Sequence, residues 1–503
     1  MNIVKRLTEC LYIGTICFLL GSYIEVITAA EKEPKTGGDT AGFVVPAGQK
    51  QLFLDDYGIA KIENLTASMH TPDKKGAVIT PDQSWETSLQ TRSAPAWDPN
   101  LQLFKLWMIG SGGTSFAVSK DGIHWTKPVL RQVEINGSLE NNLVSVEPNL
   151  KWPANAIENV IYDPDDPDHS RRFKGLGHCY GREPIVSADG IQWFRLKVPA
   201  LASQDESNLS YDRETHTFIA TVKHTGPHGR SVFLSTSRDF ENWTKPELIF
   251  STDDLDLVLA RKNIEERLAN PALNQPMYNN PADYNADVYN MGVFRYEGLY
   301  IGLPAIYHST GKADNNTDGF HLVQLVCSRD LKIWKRLGDR RPFIGPSPVD
   351  SGAYDLTQIL PPSFPIMRGN ELWFYYTGIK YRYPPQDADL KTGAICLAVL
   401  RRDGFISLDA GTEEGTLVTK PFVLSGEKLY VNTAASQGWL QVEVVGADGN
   451  TRAASEHITC DQTREEVKWR NGTLKDLKGK TITLKFTLKN ASFYSYWFEE
   501  FEE

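Results

Sequence analysis

The stretch Ser119-Lys120-Asp121-Gly122-Ile123-His124-Trp125 decides the fold of this chain, because related stretches follow it at four places. Three of them keep the Ser, the Asp and the Trp, and the last keeps only Asp-Gly. Their Asp residues are 50 to 91 residues apart. A repeat at this spacing, in a chain of short β-type runs, predicts propeller blades rather than a solenoid. The related stretches lie at 187–193, 237–243, 328–334 and 402–406.

The chemistry of the repeat predicts a turn and not a site. In the first two copies a short apolar run ends at the Ser, and Asp-Gly then suits a tight turn through local hydrogen bonds and positive φ. The Trp opens the next strand and is expected to pack between sheets. We therefore interpret these Asp residues as structural.

The order of strand-like runs predicts an all-β protein. Five units with the same order of strands occupy the region up to about residue 412, and one insertion at 251–284 has helical periodicity over 255–268. From about residue 420 the runs alternate apolar and polar residues, which is typical of a β-sandwich. We predict a five-bladed β-propeller over 43–417, followed by a small C-terminal β-sandwich over 418–503.

The N-terminus predicts export. Lys5 and Arg6 precede an apolar run, and Ala29-Ala30 offers a cleavage site, so residues 1–30 are expected to be a signal peptide. Residues 31–42 are expected to form a disordered leader. The mature protein is then secreted or periplasmic, with no membrane span after signal removal.

Composition limits the partners. The chain has a net charge of -10 and no basic block, which argues against nucleic acid. Its 12 Trp and 20 Tyr supply the aromatic surface that a carbohydrate site uses. The four Cys after the signal show no metal-ligand spacing and are expected to be thiols, and the sequence makes no prediction of oligomeric state.

Polar residues at the starts of inner strands and the ends of second strands predict a site at the propeller axis. We expect three carboxylates to be catalytic: Glu158, Asp205 and Asp287. The residues expected to bind substrate there are Arg92, Asn159, His178, Glu206, Asn208, His224, Tyr289, His308 and Asp355.

Carboxylates that converge on one pocket suit glycoside cleavage. One carboxyl group must protonate the leaving oxygen, and a second acts as nucleophile or activates water. Carboxylates pressed together shift each other's pKa, so one can stay protonated near neutral pH. No metal motif is present and no cofactor is expected, although carboxylates and His could also hold a divalent cation.

Motifs spread over nearly the whole mature chain carry a family resemblance. They lie at 52–57, 81–86, 119–125, 141–144, 158–164, 287–289, 296–302, 425–429 and 491–496. Together they resemble secreted bacterial proteins, common in planctomycetes and their relatives, that are assigned to the invertase, levansucrase and arabinanase superfamily of glycoside hydrolases (families 32, 43 and 68). The resemblance implies a five-bladed propeller with carboxylates on the first three blades. Here Arg92 and Ser93 stand where the first blade of that superfamily carries an Asp. Asp98-Pro99-Asn100 resembles the invertase nucleophile motif, but its place in the unit predicts a turn.

Three other functions stay open at the level of sequence. A non-catalytic carbohydrate-binding propeller is suggested by the missing first-blade Asp. A sialidase is suggested by the repeat, which is one residue shorter than the sialidase box, but only Arg92 is available to grip a sialic acid. A glycoside phosphorylase would need a cationic phosphate pocket, for which Lys380, Arg382 and Arg92 are the candidates.

Overall fold

A computed structural model describes residues 42–110, 112–150, 156–178, 180–313, 316–386 and 388–500, and this part of the chain is all-β as predicted. Its strands form seven sheets, which we number 1 to 7. The described part contains one α-helix, Asp254–Ala269. It also contains the short 3-10 helices His169–Arg171, Pro281–Asp283, Gly338–Arg340, Val349–Ser351 and Lys475–Leu477.

Sheets 1 to 5 follow one another along the chain, and each contains neighbouring antiparallel strands. The strands of the first three sheets are Ala96–Asp98, Leu103–Gly110, Gly113–Ser119 and Trp125–Thr126 in sheet 1, then Ile157–Tyr162, Phe173–Gly177, Tyr180–Ser187, Gln192–Arg195, Ser145–Glu147 and Leu201–Gln204 in sheet 2, then Ser207–Asp212, Thr217–Gly226, Gly229–Ser237 and Glu247–Phe250 in sheet 3. Those of the next two are Asn285–Tyr296, Leu299–Ala313, Asn316–Val323, Val326–Ser328 and Lys335–Arg336 in sheet 4, and Gln358–Leu360, Ile366–Arg368, Glu371–Ile379, Gly393–Arg401 and Asp73–Ile79 in sheet 5.

Buried hydrogen bonds connect these five sheets in a closed circuit. Residues 90–93 run beside the strand Leu103–Gly110 of sheet 1 and bond both to sheet 2 and to sheet 5. Sheet 5 in turn takes its last strand, Asp73–Ile79, from a segment that precedes sheet 1. The bonds that link successive sheets are Ser93 to Val160, Asn159 to Ser207, Asn208 to Asn290, His321 to Thr357, and Thr377 to Thr91.

The repeated stretches are turns with one hydrogen-bond pattern, as predicted. In the second copy, Asp189 accepts the backbone N–H groups of the two residues that follow Gly190, and Trp193 Nε1 donates to the carbonyl of Gly190 at 2.9 Å. Gly190 has φ +81°, and a Cβ there would lie 2.4 Å from the ring of Trp107. The copies at Asp121, Asp239 and Asp330 form the same bonds.

Sheets 6 and 7 combine C-terminal strands with segments from earlier in the chain, so strand pairing crosses the predicted division between residues 417 and 418. The alternation of apolar and polar residues along a strand identifies its buried face, but it does not identify the strand with which it pairs. Sheet 6 is formed by Thr66–Met69, Ile406–Ala410, Ala491–Glu499, Lys428–Ala434, Asp461–Glu466 and Gln51–Leu52. Sheet 7 is formed by Ile59–Glu63, Gly415–Thr419, Thr481–Lys489, Trp439–Gly446, Thr451–Ser455, Trp469–Asn471 and Phe422–Val423.

The predicted helix is present and packs on sheet 4. It begins after a capping box, in which Asp253 accepts the backbone N–H of Asp256 and Asp256 accepts that of Asp253. Its residues Ala260 and Ile264 are buried. Near its end the buried Arg267 donates to the carbonyl of Leu356 at 2.7 Å, which connects the helix to the start of sheet 5.

Two of the predicted thiols, Cys327 and Cys396, are buried and form no disulfide, and burial raises the pKa of both. Cys179 lies outside the described residues, as do the expected signal peptide and nearly all of the expected leader. No helix of the described residues has the length and apolar character that a membrane crossing requires.

The buried carboxylate of Asp403 joins sheet 6 to the end of sheet 5. It accepts from Lys50 Nζ and the Tyr296 hydroxyl at 2.6 Å, and from Ser495 Oγ at 2.9 Å. We expect Asp403→Ala to lower the free energy of unfolding by ~3–5 kcal/mol, because Lys50 is left buried and unpaired. Chemical denaturation measures this, with the more exposed ion-pair carboxylate Asp461→Ala as control. Equal losses of unfolding free energy in the two variants would contradict the role of Asp403 as a buried link between the sheets.

Candidate functional site

Some of the polar residues expected at the axis meet where the first strands of sheets 2, 3 and 4 approach residue 92. Four carboxylates lie there, and each forms an ion pair with a basic side chain at N···O distances of 2.6 to 2.8 Å. All four carboxylates were predicted as site residues, but three of the four bases were not. The pairs are Arg92 with Glu206, Arg182 with Glu158, Lys223 with Asp205, and Arg230 with Asp287.

Arg92 holds Glu206 in a buried, bidentate ion pair. Its Nε lies 2.6 Å from one carboxylate oxygen and its Nη2 lies 2.8 Å from the other. Burial alone would raise the pKa of Glu206, but the charge and the hydrogen bonds of Arg92 outweigh it, so the pKa lies below the ordinary value. Glu206 is therefore a fixed negative charge.

Glu158 lies beside Glu206, and its pKa is shifted in the opposite direction. It occupies a β-bulge between Ile157 and Asn159, and bulges re-aim side chains beside functional sites. Its Oε2 accepts the N–H and the hydroxyl of Ser207 at 3.1 Å and lies 2.6 Å from Arg182. Burial raises the pKa of Glu158 and the charge of Glu206 adds to the rise, while Arg182 opposes it.

Asp205 is the most open of the four carboxylates. Its side chain is 42% exposed, and its Oδ2 accepts from Lys223 Nζ at 2.7 Å. Its backbone φ of +138° is rare for a residue other than glycine, and such conformations concentrate at functional sites. Lys223 also lies 3.7 Å above the ring of Tyr289, and burial lowers the pKa of this lysine.

Asp287 and Arg230 form the fourth pair on the side of sheet 4. Arg230 Nε donates to Asp287 Oδ2 at 2.8 Å, while Asp287 Oδ1 is buried without a hydrogen-bond partner in the described part of the chain. The guanidinium of Arg230 lies 4.5 Å from the ring centre of Tyr307 and 5.2 Å from that of Tyr289.

His321 completes this side of the site and was not predicted. It is fully buried, and its ring lies 4.6 Å from that of Tyr289 and 5.2 Å from that of Tyr307. Its Nδ1 lies 3.2 Å from the carbonyl of Ile359, while its Nε2 has no partner among the described residues. Burial, and then the surrounding basic residues, hold its pKa well below the ordinary value.

Asn159 and Asn208 also lie at the axis, where they connect strands. Asn159 Nδ2 donates to Ser207 Oγ at 2.8 Å, and Asn208 Oδ1 accepts from Asn290 Nδ2 at 3.1 Å. Both are fully buried. Their amides therefore fix the relative positions of sheets 2, 3 and 4, on which the carboxylates are carried.

Two predicted histidines lie on the opposite faces of their strands. Neighbouring strand residues point to opposite sides, so it is Lys223 and Tyr307 that face the site, while His224 and His308 face away. His224 contacts the carbonyl of Ala202, at 3.0 Å from its Nε2. His308 stacks on Phe320, and burial lowers its pKa to about 4.

His178 and Asp355 also have other partners. His178 follows the end of its strand with φ +70°, and its carbonyl accepts from Arg182, so it helps to place that arginine. Asp355 is buried against Lys74 Nζ at 2.7 Å and accepts the hydroxyl of Tyr376 at 2.8 Å. Asp355 therefore links the strand Asp73–Ile79 to the strand Glu371–Ile379 within sheet 5.

The site residues do not suit a divalent cation. No three His, Cys, Asp or Glu side chains of the described residues are placed to hold a metal ion together. Each carboxylate at the axis already faces a positive charge, which would repel a cation.

The Asp98 carboxylate, in the stretch that resembles the invertase nucleophile motif, forms a turn as predicted. It accepts the backbone N–H groups of Asn100 and Leu101 at 3.0 and 3.1 Å, and it pairs with Lys105. Asp163 and Asp212 pair with other residues at the same place in sheets 2 and 3. None of the three contacts the carboxylates at the axis through a described hydrogen bond.

No protein-family model matches the chain, and no curated protein sequence matches it. Solved structures that resemble it include an endo-arabinase from Bacteroides thetaiotaomicron, 13% identical with a TM-score of 0.38, over 64% of this chain and 97% of that one. Another is a GH32 β-fructofuranosidase from Bombyx mori, 9% identical with a TM-score of 0.37, over 86% and 95% of the two chains. A third is a GH43 arabinoxylan arabinofuranohydrolase from Bacillus subtilis, 10% identical with a TM-score of 0.37, over 84% and 99%.

These structures are glycoside hydrolases, and they are what this chain is similar to. TM-scores below 0.5 at such identities assign neither a fold nor a reaction. The geometry of the site must therefore carry the functional argument.

The Arg92–Glu206 pair should make stability depend on pH. We expect Glu206→Gln to lower the free energy of unfolding by ~3–5 kcal/mol at pH 7, because Arg92 loses its buried partner. The pKa of Glu206 is lower in the folded than in the unfolded protein, so its contribution is present above about pH 4.5 and is lost as the pH falls through the folded pKa.

The loss caused by Glu206→Gln should therefore shrink as the pH falls below about 4.5, because the carboxyl group of the unfolded chain then takes up a proton that the native carboxylate does not, and it should vanish once the native carboxyl is itself protonated. Denaturation of both proteins between pH 3 and pH 7 measures it, and Glu158→Gln is added to both proteins because the charge of Glu206 acts on the pKa of Glu158. A loss that does not change with pH would contradict the ion-pair account.

Proposed function

We propose that sheets 1 to 5 are the blades of a five-bladed β-propeller, that sheets 6 and 7 form a β-sandwich beside it, and that the axial site cleaves a glycosidic bond. The closed circuit of five sheets supports the propeller, since it returns from sheet 5 to sheet 1. The apolar run at the N-terminus supports a secreted or periplasmic protein.

The proposed reaction rests on two neighbouring glutamates whose pKa values are shifted in opposite directions. Burial and the charge of Glu206 raise the pKa of Glu158, while Arg92 lowers the pKa of Glu206. Carboxyl groups whose environments push their pKa values apart indicate an acid and its charged partner, and here Glu206 is the anion that favours a proton on Glu158. This pair therefore favours general acid catalysis over simple binding.

The hydrogen bonds of Glu158 indicate where its proton lies. Oε2 accepts twice from Ser207 and contacts Arg182, so a proton on this carboxyl group belongs on Oε1. From there it can pass to the leaving glycosidic oxygen. Asp205 is the open carboxylate and acts as nucleophile or as base towards water, while Asp287, with its unpartnered oxygen, binds the substrate near the reacting carbon.

A second candidate function is carbohydrate binding without turnover. It is favoured by the ion pairs, because each of the four carboxylates is already neutralised by a base. In this case the carboxylates recognise hydroxyl groups and the bases hold them in place. Release of sugar separates the two functions.

The proposed reaction predicts the effects of three substitutions. Glu158→Gln, Asp205→Asn and Asp287→Asn should each reduce sugar release from the true substrate, the first by about 10²–10⁴-fold because it removes the proton donor. The mature protein is screened against plant, algal and host glycans, and released sugar is measured. Asp98→Asn, a carboxylate of a turn, is the matched control and should leave the release unchanged.

Two results would contradict the reaction. Unchanged release in all three variants would show that these carboxylates are not catalytic. Binding to a glycan array without any release by the native protein would favour the binding function instead.

A further inference from the structure

Three basic side chains surround two tyrosines at the side of the site formed by sheets 4 and 5. Lys223 lies over Tyr289, and Arg230 lies over both tyrosines. Arg382 lies 5.9 Å from the ring centre of Tyr307. The aromatic faces allow these like charges to approach one another, because each cation is attracted to the negative face of a ring.

Arg382 differs from the other bases of the site. Lys223 and Arg230 are paired with Asp205 and Asp287, whereas Arg382 forms no ion pair within the part of the chain that the structure describes. Its nearest acceptors are the carbonyl of Thr317 and the Gln358 side chain, both at 3.4 Å. It is only half buried, so its guanidinium keeps donors for a ligand.

The charges of the site do not balance. Five basic side chains face four carboxyl groups, and Glu158 carries a proton in the proposed reaction, so the described part of the site holds more positive than negative charge. A buried or half-buried charge that lacks a partner is costly. A negatively charged ligand would offset this excess. The five bases are Arg92, Arg182, Lys223, Arg230 and Arg382.

His321 indicates which group of the ligand lies next to the negative charge. A carbonyl oxygen only accepts, so Nδ1 carries the hydrogen that it directs at Ile359, and the neutral ring offers Nε2 as an acceptor. Nε2 is buried and unpartnered in the described structure. It therefore calls for a hydroxyl group close to the negative charge.

We propose that Lys223, Arg230, Arg382 and His321 bind the carboxylate and an adjacent hydroxyl of an acidic sugar, so that the ligand of this protein contains uronic acid residues. The two arginine forks match a planar carboxylate, which they can hold with paired hydrogen bonds. The cleavage of such a ligand rests on the proposed function, whereas its binding does not.

The alternative source of negative charge is inorganic phosphate. Phosphate carries between one and two negative charges at neutral pH, and the carboxylates of Asp205 and Asp287 beside the cluster repel a dianion more strongly than a single carboxylate. A sugar carboxylate carries a single charge and brings the hydroxyl that His321 requires. The two neighbouring carboxylates thus favour the uronic acid.

Binding of defined sugars to the full mature chain tests this proposal. Calorimetry compares glucuronic and galacturonic acid and their short oligosaccharides with glucose, galactose and the matching neutral oligosaccharides, and inorganic phosphate is a separate arm. We expect the acidic sugars to bind and to bind more weakly as salt is added. Arg382→Gln should weaken their binding about ten- to a hundredfold, as expected for the loss of a charge-assisted hydrogen bond.

Lys380→Gln is the matched control, since it removes the same charge two residues away. Lys380 Nζ lies 4.3 Å from the ring centre of Tyr354 and is not part of the cluster, so this variant should keep its affinity. If Arg382→Gln proved unstable, the native protein would still test the proposal. Its binding would have to prefer acidic over neutral sugars and to weaken as salt is added.

Three outcomes would overturn the proposal. They are equal binding of neutral and acidic sugars, equal losses in the two variants, and binding of phosphate that depends on Arg382 without binding of uronic acids. Cleavage of neutral glycans alone would overturn this inference and leave the proposed reaction intact. Binding of uronic acids with no cleavage would do the reverse.

Discussion

The buried ion pair between Arg92 and Glu206 is the interaction on which the rest of the site depends. It joins the segment beside sheet 1 to the first strand of sheet 3, and both side chains are almost fully buried. Removal of two charges from water costs several kcal/mol per ion, so such a pair persists only with excellent geometry. The bidentate contact at 2.6 and 2.8 Å provides it.

This pair also sets the chemistry of its neighbour. Because Glu206 is held as an anion, its charge adds to the effect of burial on Glu158 and raises the pKa of that carboxyl group. The same anion lowers the cost of burying Lys223, whose pKa it raises against the effect of burial. A single fixed charge therefore raises the pKa of one neighbouring group, Glu158, and offsets the burial of another, Lys223.

Much of the fold and part of the site could be predicted from the sequence. Local sequence patterns predicted the Ser-Asp turns that precede a Trp, the helix, and the carboxylates at the starts of inner strands. The face of the sheet on which a strand residue lies was harder to predict. At Lys223-His224 and Tyr307-His308 the sequence pattern predicted the histidines, whereas Lys223 and Tyr307 are the residues that lie beside the carboxylates, because only one of two neighbours faces the axis.

Bulges explain another part of what the sequence could not reveal. The strand pairing is irregular at Ile157/Asn159 and at Val288/Met291, and this changes which residues face the axis. No residue pattern in the sequence predicts these irregularities. Arg182, Arg230 and His321 enter the site from later strands of their sheets, so only the assembled fold brings them near the carboxylates. Pairing of residues distant in sequence is a tertiary property, which strand periodicity does not encode.

The most direct test of the account is a pH titration of the two axial glutamates by carbon NMR of the side-chain carboxyl groups, with Glu158→Gln and Glu206→Gln used to assign the signals. The account predicts that Glu158 titrates above the ordinary range of glutamate and Glu206 below it. Two signals that both titrate near the ordinary value of about 4.3 would contradict it. In that case the axial carboxylates would not be differentiated for acid and base roles.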